Sequence, residues 1–202
     1  MKKYSGEEIS NIKQKYNISK DEHVIAIIAR LEKIKGQDYF IDAAKKIIDT
    51  GKFDVKFLIA GTGSEEERLK EKVKSIGLEE KIIFTGFVEN ISQILNIVDI
   101  QVNSSYGTEA TSLSLLEGMS LGIPAIVTNY GGNTGVIQDG INGMVIPIKN
   151  ANALAEKIEY LLTNKNAYNE MKDGALKIYK EKFTADLYAN NIQNYYKKIL
   201  KG

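Results

Sequence analysis

Residues 23–61 read HVIAIIARLEKIKGQDYFIDAAKKIIDTGKFDVKFLIAG, and the reading of this stretch decides the fold. It opens with HVIAIIA, a β-branched apolar run without polar alternation, which is how a strand covered on both faces reads. VKFLIA at 55–60 is a second run of the same kind. Between them Tyr39, Phe40, Ala43, Ala44 and Ile47 recur at helical spacing. Strand, amphipathic helix and strand in succession predict a parallel pair joined by a right-handed crossover.

The same alternation continues downstream. Further apolar runs stand at KIIF (81–84), DIQVN (99–103), PAIVT (124–128) and GMVIPI (143–148), and helical spacing returns in Leu69, Val73 and Ile76 and in Ile91, Ile94, Leu95 and Val98. The expected fold is therefore α/β, a doubly wound parallel sheet of about six strands with helices on both faces. After Ile148 only helices are expected. Leu154, Ala155, Ile158, Leu161 and Leu162 form one face, a break falls at 163–166, and a second helix runs to about Lys180. A last helix starts near Thr184, a good N-cap, and carries Leu187, Tyr188, Ile192, Tyr195, Tyr196 and Ile199. The expected division is a polar, helical lead-in over 1–22, a domain over 23–180 and a terminal helix over 181–202.

Composition narrows the function. At 202 residues and 43% hydrophobic, the chain can bury one sizeable core. Lys+Arg 27 against Asp+Glu 26 leaves a net charge of +1, so nothing argues for nucleic acid or an anionic membrane, and an anionic ligand must be met locally. The absence of Cys excludes disulfides and thiolate metal sites, and the single His23 excludes a multi-histidine site within one chain. A cysteine-free chain also suits the reduced cytoplasm. MKKYSGEE leads into no apolar run and no run of 18 apolar residues occurs, so a soluble chain is expected.

In such a sheet ligands sit outside the carboxyl ends of the strands. The first run is followed by ARLEKIKG, with Arg30 and Lys35, and Arg30 is one of only two arginines. A guanidinium beside an ammonium could clamp a diphosphate, or Arg30 could tie down its own loop. AGTGSEEERLK follows the second run. Gly61 and Gly63 make either a close-approach turn for a ligand or an ordinary strand-to-helix turn, and Ser64 is a credible N-cap. Gly86 turns the chain after the third run, and Phe87 and Val88 offer apolar surface to a flat base or to the core.

Small side chains fill residues 107–112 after the fourth run, and a helix is expected from about Ser112. Its N–H groups and dipole, with the hydroxyls of Thr111, Ser112 and Ser114, suit a phosphate. Glu109 precedes this helix and Glu117 lies more than one turn inside it, so the two are not expected to share a helical face. Leu115, Leu116 and Met119 place Glu117 near buried surface, where an acid normally has a partner or a task. A glycosidase-type carboxylate pair is disfavoured because nothing else suggests a general acid. NYGGN, with Gly131 and Gly132, is another close-approach turn.

Taken in order, R-L-E-K-I-K-G, G-T-G at 61–63, T-G-F-V-E-N at 85–90, E-x7-E at Glu109 and Glu117, E-G-M-S-L-G-I-P-A-I-V and G-G at 131–132 resemble the carboxyl-terminal domain of family 4 glycosyltransferases, of the glycosyl transferases group 1. The resemblance runs from about Val24 to Leu162. It implies one Rossmann-like half of a GT-B enzyme, the half that binds a nucleotide diphosphate sugar, UDP-linked in type, with retaining hexosyl transfer and no cofactor or metal required. By the same resemblance Arg30 and Lys35 hold the diphosphate, and backbone groups at Ser112, Leu113 and Ser114 share it. Glu117 takes the ribose hydroxyls, Glu109 orients the sugar, and Phe87 and Val88 contact the base.

The resemblance further implies an acceptor-binding N-terminal domain or partner chain, onto which the final helix packs. It implies cytoplasmic polysaccharide biosynthesis, with inner-membrane contact only through that other half. Where the family usually has E-G-F-G or E-G-F-P, this chain has E-A-T-S at 109–112, a departure that falls on the sugar-facing loop. Two other classes stay open: a nucleotide-sugar epimerase of the same architecture, for which no further acid/base groups are visible, and a non-catalytic nucleotide-binding subunit.

Overall fold

A computed structural model describes residues 1–201. The strands are β1 (His23–Ile28), β2 (Val55–Ala60), β3 (Ile82–Gly86), β4 (Ile100–Asn103), β5 (Ala125–Thr128) and β6 (Gly143–Ile146). The helices are α1 (Gly6–Lys15), α2 (Gln37–Asp49), α3 (Glu66–Ser75), α4 (Ile91–Leu95), α5 (Leu113–Leu121), α6 (Asn133–Val136), α7 (Ala151–Thr163), α8 (Lys165–Lys182) and α9 (Ala185–Lys201). All strand pairs are parallel, in the order β3-β2-β1-β4-β5-β6. The order reverses direction between β1 and β4, which makes the crevice beyond their carboxyl ends the expected ligand position.

Alternating residues on each strand feed opposite layers. Ile25 and Ile27 of β1 join Phe57 and Ile59 of β2 under α2, α3 and α7. Val24, Ala26 and Leu58 face the other way, against α1 and α4, while Ala125 and Val127 of β5 meet α5 and α8. Phe40 of α2 packs edge-on against Phe57, with centroids 5.6 Å apart, and both are fully buried. Truncating either to alanine removes about 3–5 kcal/mol.

The expected strands and long helices are present within a few residues. The lead-in contains α1: Ile9, Ile12, Tyr16 and buried Ile18 pack this helix and its following loop onto the sheet layer, and Ser5 with Glu8 closes a capping box. Ser64 does not cap α3. That helix starts at Glu66 after Glu65, and no side chain caps it, because the backbone of Glu65 is drawn to the Leu31 carbonyl. The 91–98 pattern yields only the short α4, and Asn96, which bonds Ser92 O and the backbone at Lys2 and Tyr4, sits at its end. A short 3-10 turn at Lys33–Lys35 and α6 were not foreseen. Helical elements of three or four residues give too little sequence for a 3.6-residue period to register.

The glycines after β2 serve the scaffold first. Gly61 has φ +134, and a Cβ there would overlap the Ala29 carbonyl, while one at Gly63 would overlap that of Leu31. The loops after β1 and β2 thus lie backbone against backbone, held by Leu31 N–H to Thr62 O at 2.9 Å. Gly61→Ala is expected to destabilise the chain by about 3 kcal/mol, conformational strain and overlap together. Gly51, at φ +65 with open space around it, should lose only about 1 kcal/mol on the same change. Thermal unfolding of the two variants checks this, and equal losses would defeat the overlap argument.

Candidate active site

The site is built at the switch point from the loops after β1 and β4. The β1 loop carries Arg30 and Lys35 and is pinned from several sides. Gln37 Nε2 donates to Arg30 O at 2.8 Å, Ser104 Oγ donates to Lys35 O and Gly36 O, and Tyr106 N–H donates to Ile34 O. The side chain that holds Arg30's carbonyl is itself buried, so the loop has little freedom to drift.

Lys35 and Glu109 meet. Lys35 Nζ lies 3.0 Å from Glu109 Oε2 and also donates to Thr108 O, and the two side chains are only 12% and 10% exposed. Glu109 Oε2 accepts two more hydrogen bonds, from Ser105 Oγ at 2.9 Å and Asn103 Nδ2 at 3.3 Å. Burial works against the charge on Glu109, but the bonds from Lys35 and Ser105, with the field of Lys35, outweigh it and hold the carboxyl below its ordinary range. The loop rests on the glycine turn after β5. A Cβ at Gly131 or Gly132 would overlap the carbonyl of Glu109 or Ala110, and Gly132 N–H donates to Glu109 O at 2.8 Å.

Arg30 stands differently. Its guanidinium is 74% exposed and pairs with Glu32 at 2.7 Å. It borders a cavity of about 270 Å³ whose walls include Ile28, Gly61, Thr62, Phe87 and Val88. Phe87 is 78% exposed, an aromatic face left open beside a small, largely apolar hollow. Val88 instead packs partly into the core. Gly61 borders the cavity, whereas Gly63 is not among its walls.

The start of α5 lies next to this hollow. Ser114 Oγ donates to Ile28 O at 3.2 Å, and Ser112 Oγ lies 3.0 Å from Ser114 Oγ. Ser112 is the N-cap residue but caps no N–H with its side chain. Leu115 and Leu116 N–H reach Ser112 O, which leaves the first N–H groups, at Leu113 and Ser114, without a helical acceptor. They and the helix dipole form a place for negative charge, with exposed Thr111 just before it.

Glu117 lies one turn beyond Ser114 on the same helical stripe. Among the described residues its carboxylate has no hydrogen bond or ion pair, and burial pushes its pKa up. Glu109 and Glu117 therefore share no partner: one is bound tightly to the protein, the other stands unclaimed at the site's edge. The structure brings Lys35 to Glu109, Arg30 to Phe87 and Gly61, and Ser114 to the end of β1.

Sequence reading missed the polar layer beneath Glu109. Asn103 Oδ1 accepts from Ser105 N–H at 3.1 Å, Asn133 Nδ2 lies 3.5 Å from Asn103 Oδ1 and 3.2 Å from Thr128 O, and Thr128 Oγ1 donates to Ser105 O. All four residues are buried. The available signal was that β4 and β5 end in Asn103 and Thr128 and that Ser104 and Ser105 follow the first, polar groups where an apolar run reaches a buried edge.

Comparison with known proteins identifies the family and the fold. Residues 8–178 match the family model described as "Glycosyl transferases group 1". N-acetyl-alpha-D-glucosaminyl L-malate synthase of Bacillus anthracis is 27% identical over 198 residues, which is 98% of this chain and 51% of that protein. Anabaena HepE, solved in complex with UDP-glucose, shares the fold at a TM-score of 0.87 and 22% identity, over 97% of this chain and 54% of its own. The C-terminal domain of a glycosyl transferase group 1 family protein, LpcC, from Francisella tularensis superposes with a TM-score of 0.77 at 27% identity, covering 90% of this chain and 96% of that domain. The chain spans about half the length of full relatives such as the Bacillus anthracis synthase. It belongs to the group 1 glycosyl transferases, and its parallel sheet is a Rossmann-like half of the GT-B architecture.

Proposed function

We propose that the chain is the donor-binding domain of a retaining hexosyltransferase of the family 4 type, and that it holds a UDP-linked sugar at the switch point. The observation that carries this reading is the buried Lys35–Glu109 pair, set at the carboxyl edge of the sheet beside the open start of α5. Arg30, Lys35 and the N–H groups of Leu113 and Ser114 take the diphosphate, and their charge stabilises the departing nucleotide. The base lies in the hollow against Phe87, Val88 and Gly61. Glu117 binds the ribose hydroxyls, and Glu109 orients the sugar. The HepE complex with UDP-glucose supports the choice of nucleotide.

In the transfer step the bond from the anomeric carbon to the diphosphate oxygen breaks, with the electron pair going to that oxygen. The acceptor hydroxyl bonds to the same face of the sugar, and its proton passes to the departing diphosphate. Cations and backbone N–H groups meet the charge in this scheme, so no metal is called for. The acceptor, a glycan or lipid-linked acceptor of polysaccharide biosynthesis, is brought by an N-terminal domain or partner chain. The half-length match and the exposed Tyr188, Tyr195, Tyr196 and Ile199 of α9 support such a partner. The setting is cytoplasmic, with any membrane contact made by the other half; no described helix is long and apolar enough to cross a membrane.

Calorimetry of the chain against UDP and GDP tests the site. UDP should bind, and Arg30→Ala should bind it roughly tenfold more weakly, at the low end for a charged hydrogen bond because Arg30 is so exposed. Binding of neither nucleotide, or unchanged binding by the variant, would defeat the assignment.

A further inference from the structure

We propose that Asn103 and Ser105 are positioning residues for the donor sugar, which hold Glu109 so that Oε2 is consumed by the protein and Oε1 is presented to sugar hydroxyls. The proposal rests on the nucleotide-sugar reading of the site and adds to it the device that gives Glu109 a direction. Three donors converge on Oε2, from Lys35, Ser105 and Asn103. Oε1 accepts none of them and is not among the buried atoms left without a partner, so it keeps contact with solvent and is free to meet a ligand. A carboxylate has about four acceptor positions, and this one has its protein bonds gathered on one oxygen.

Lys35 alone does not account for that orientation. An ammonium is a compact charge on a flexible stem with rotatable donors, so it neutralises a carboxylate without aiming it. Asn103 and Ser105 are held far more rigidly. Asn103 Oδ1 is occupied by Ser105 N–H at 3.1 Å and approached by Asn133 Nδ2 at 3.5 Å, which forces the Nδ2 of Asn103 toward Glu109. Ser105 is bonded through its N–H, its hydroxyl and its carbonyl at once. Asn133, which anchors the lower end of this network, is fully buried and has an Oδ1 with no partner, so the layer has an energetic cost that packing alone does not explain. Gly132 N–H fixes the backbone of Glu109 from the opposite side. The roles divide cleanly: Lys35 supplies charge, and it can turn to a diphosphate while Asn103 and Ser105 keep Glu109 aimed.

Two variants test the device in the full chain. Asn103→Asp keeps the shape and the bond from Ser105 N–H but turns a donor to Glu109 into a like charge; Ser105→Ala removes a second donor. Glutamate side chains are labelled with carbon-13, the Glu109 carboxyl signal is assigned by its loss in Glu109→Gln, and its titration is followed. The midpoint should rise by about one pH unit or more in Asn103→Asp, and by less in Ser105→Ala.

Calorimetry with UDP, UDP-glucose, UDP-galactose and UDP-N-acetylglucosamine then gives the gain in affinity from the sugar. That gain should fall at least threefold, on the order of one neutral hydrogen bond, in both variants while UDP itself binds as in the wild type. Unmoved titration midpoints, an undiminished sugar gain, an equal loss of UDP affinity, or a wild type that gains nothing from any sugar would each overturn the inference. A wild type that binds no UDP defeats the underlying site reading instead.

Discussion

Lys35→Ala should weaken UDP binding roughly thirtyfold, the loss of about 2 kcal/mol that a charged hydrogen bond to a diphosphate commonly contributes. It should also destabilise the empty protein by about 3 kcal/mol, because it leaves the Glu109 carboxylate, 10% exposed, without its cation. The pH dependence of stability should change sign. In the wild type the carboxyl of Glu109 titrates below its ordinary range. Its contribution is therefore present above the unfolded value of about 4.3 and lost as pH falls through the lower, folded value.

Without Lys35, burial becomes the stronger influence and raises the folded value above the unfolded one. Stability should then be highest below about pH 4.3 and decline as pH rises through the folded value. Adding Glu109→Gln to Lys35→Ala removes the stranded charge and should restore most of the stability but none of the UDP affinity. Thermal unfolding between pH 3 and 8, with calorimetry at about pH 7.5, checks all of this. A single variant whose stability is untouched would show that the pair is not coupled.

Glu117→Gln should produce the opposite combination, weaker binding with no loss of stability. A carboxylate that accepts from two ribose hydroxyls makes charge-assisted bonds, and replacing it with an amide should lower UDP affinity on the order of tenfold. In the empty protein that carboxylate makes no hydrogen bond among the described residues and is raised by burial. Its ionisation counts against folding once pH passes above the unfolded value, so the amide should be neutral or mildly stabilising at pH 7. Glu109→Gln should do the reverse for binding, with UDP affinity held within about twofold and the contribution of the sugar lost. If UDP affinity were untouched in the first variant and lost in the second, the two roles would be wrongly assigned.

The contrast between the two glutamates shows what could be read beforehand. Their separation by the start of a helix was evident from the spacing, and with it the expectation that they serve different parts of a ligand. What each touches was not. Lys35 lies 74 positions from Glu109, and the contact exists only because β1 and β4 are neighbours in the sheet. The glycines show the same limit from another side. Gly131 and Gly132 were legible as a close-approach turn, and Gly61 and Gly63 as either that or an ordinary strand-to-helix turn, but the partner in each approach is another stretch of backbone, brought there by strand order.

The sequence by itself determined the layered α/β fold, because continuous apolar runs and 3.6-residue spacing are local properties that only one architecture satisfies in that order. It also singled out the loops that form the candidate site, since ligands of a parallel sheet lie outside the carboxyl ends of its strands. Only the tertiary structure decided the buried Lys35–Glu109 pair, the parking of Arg30 on Glu32, and the Asn103–Ser105–Thr128–Asn133 layer. The Lys35–Glu109 pair and the bonds from Thr128 and Asn133 join residues far apart in the chain, while Arg30–Glu32 and Asn103–Ser105 are near neighbours whose side-chain directions are set by the packed loops around them.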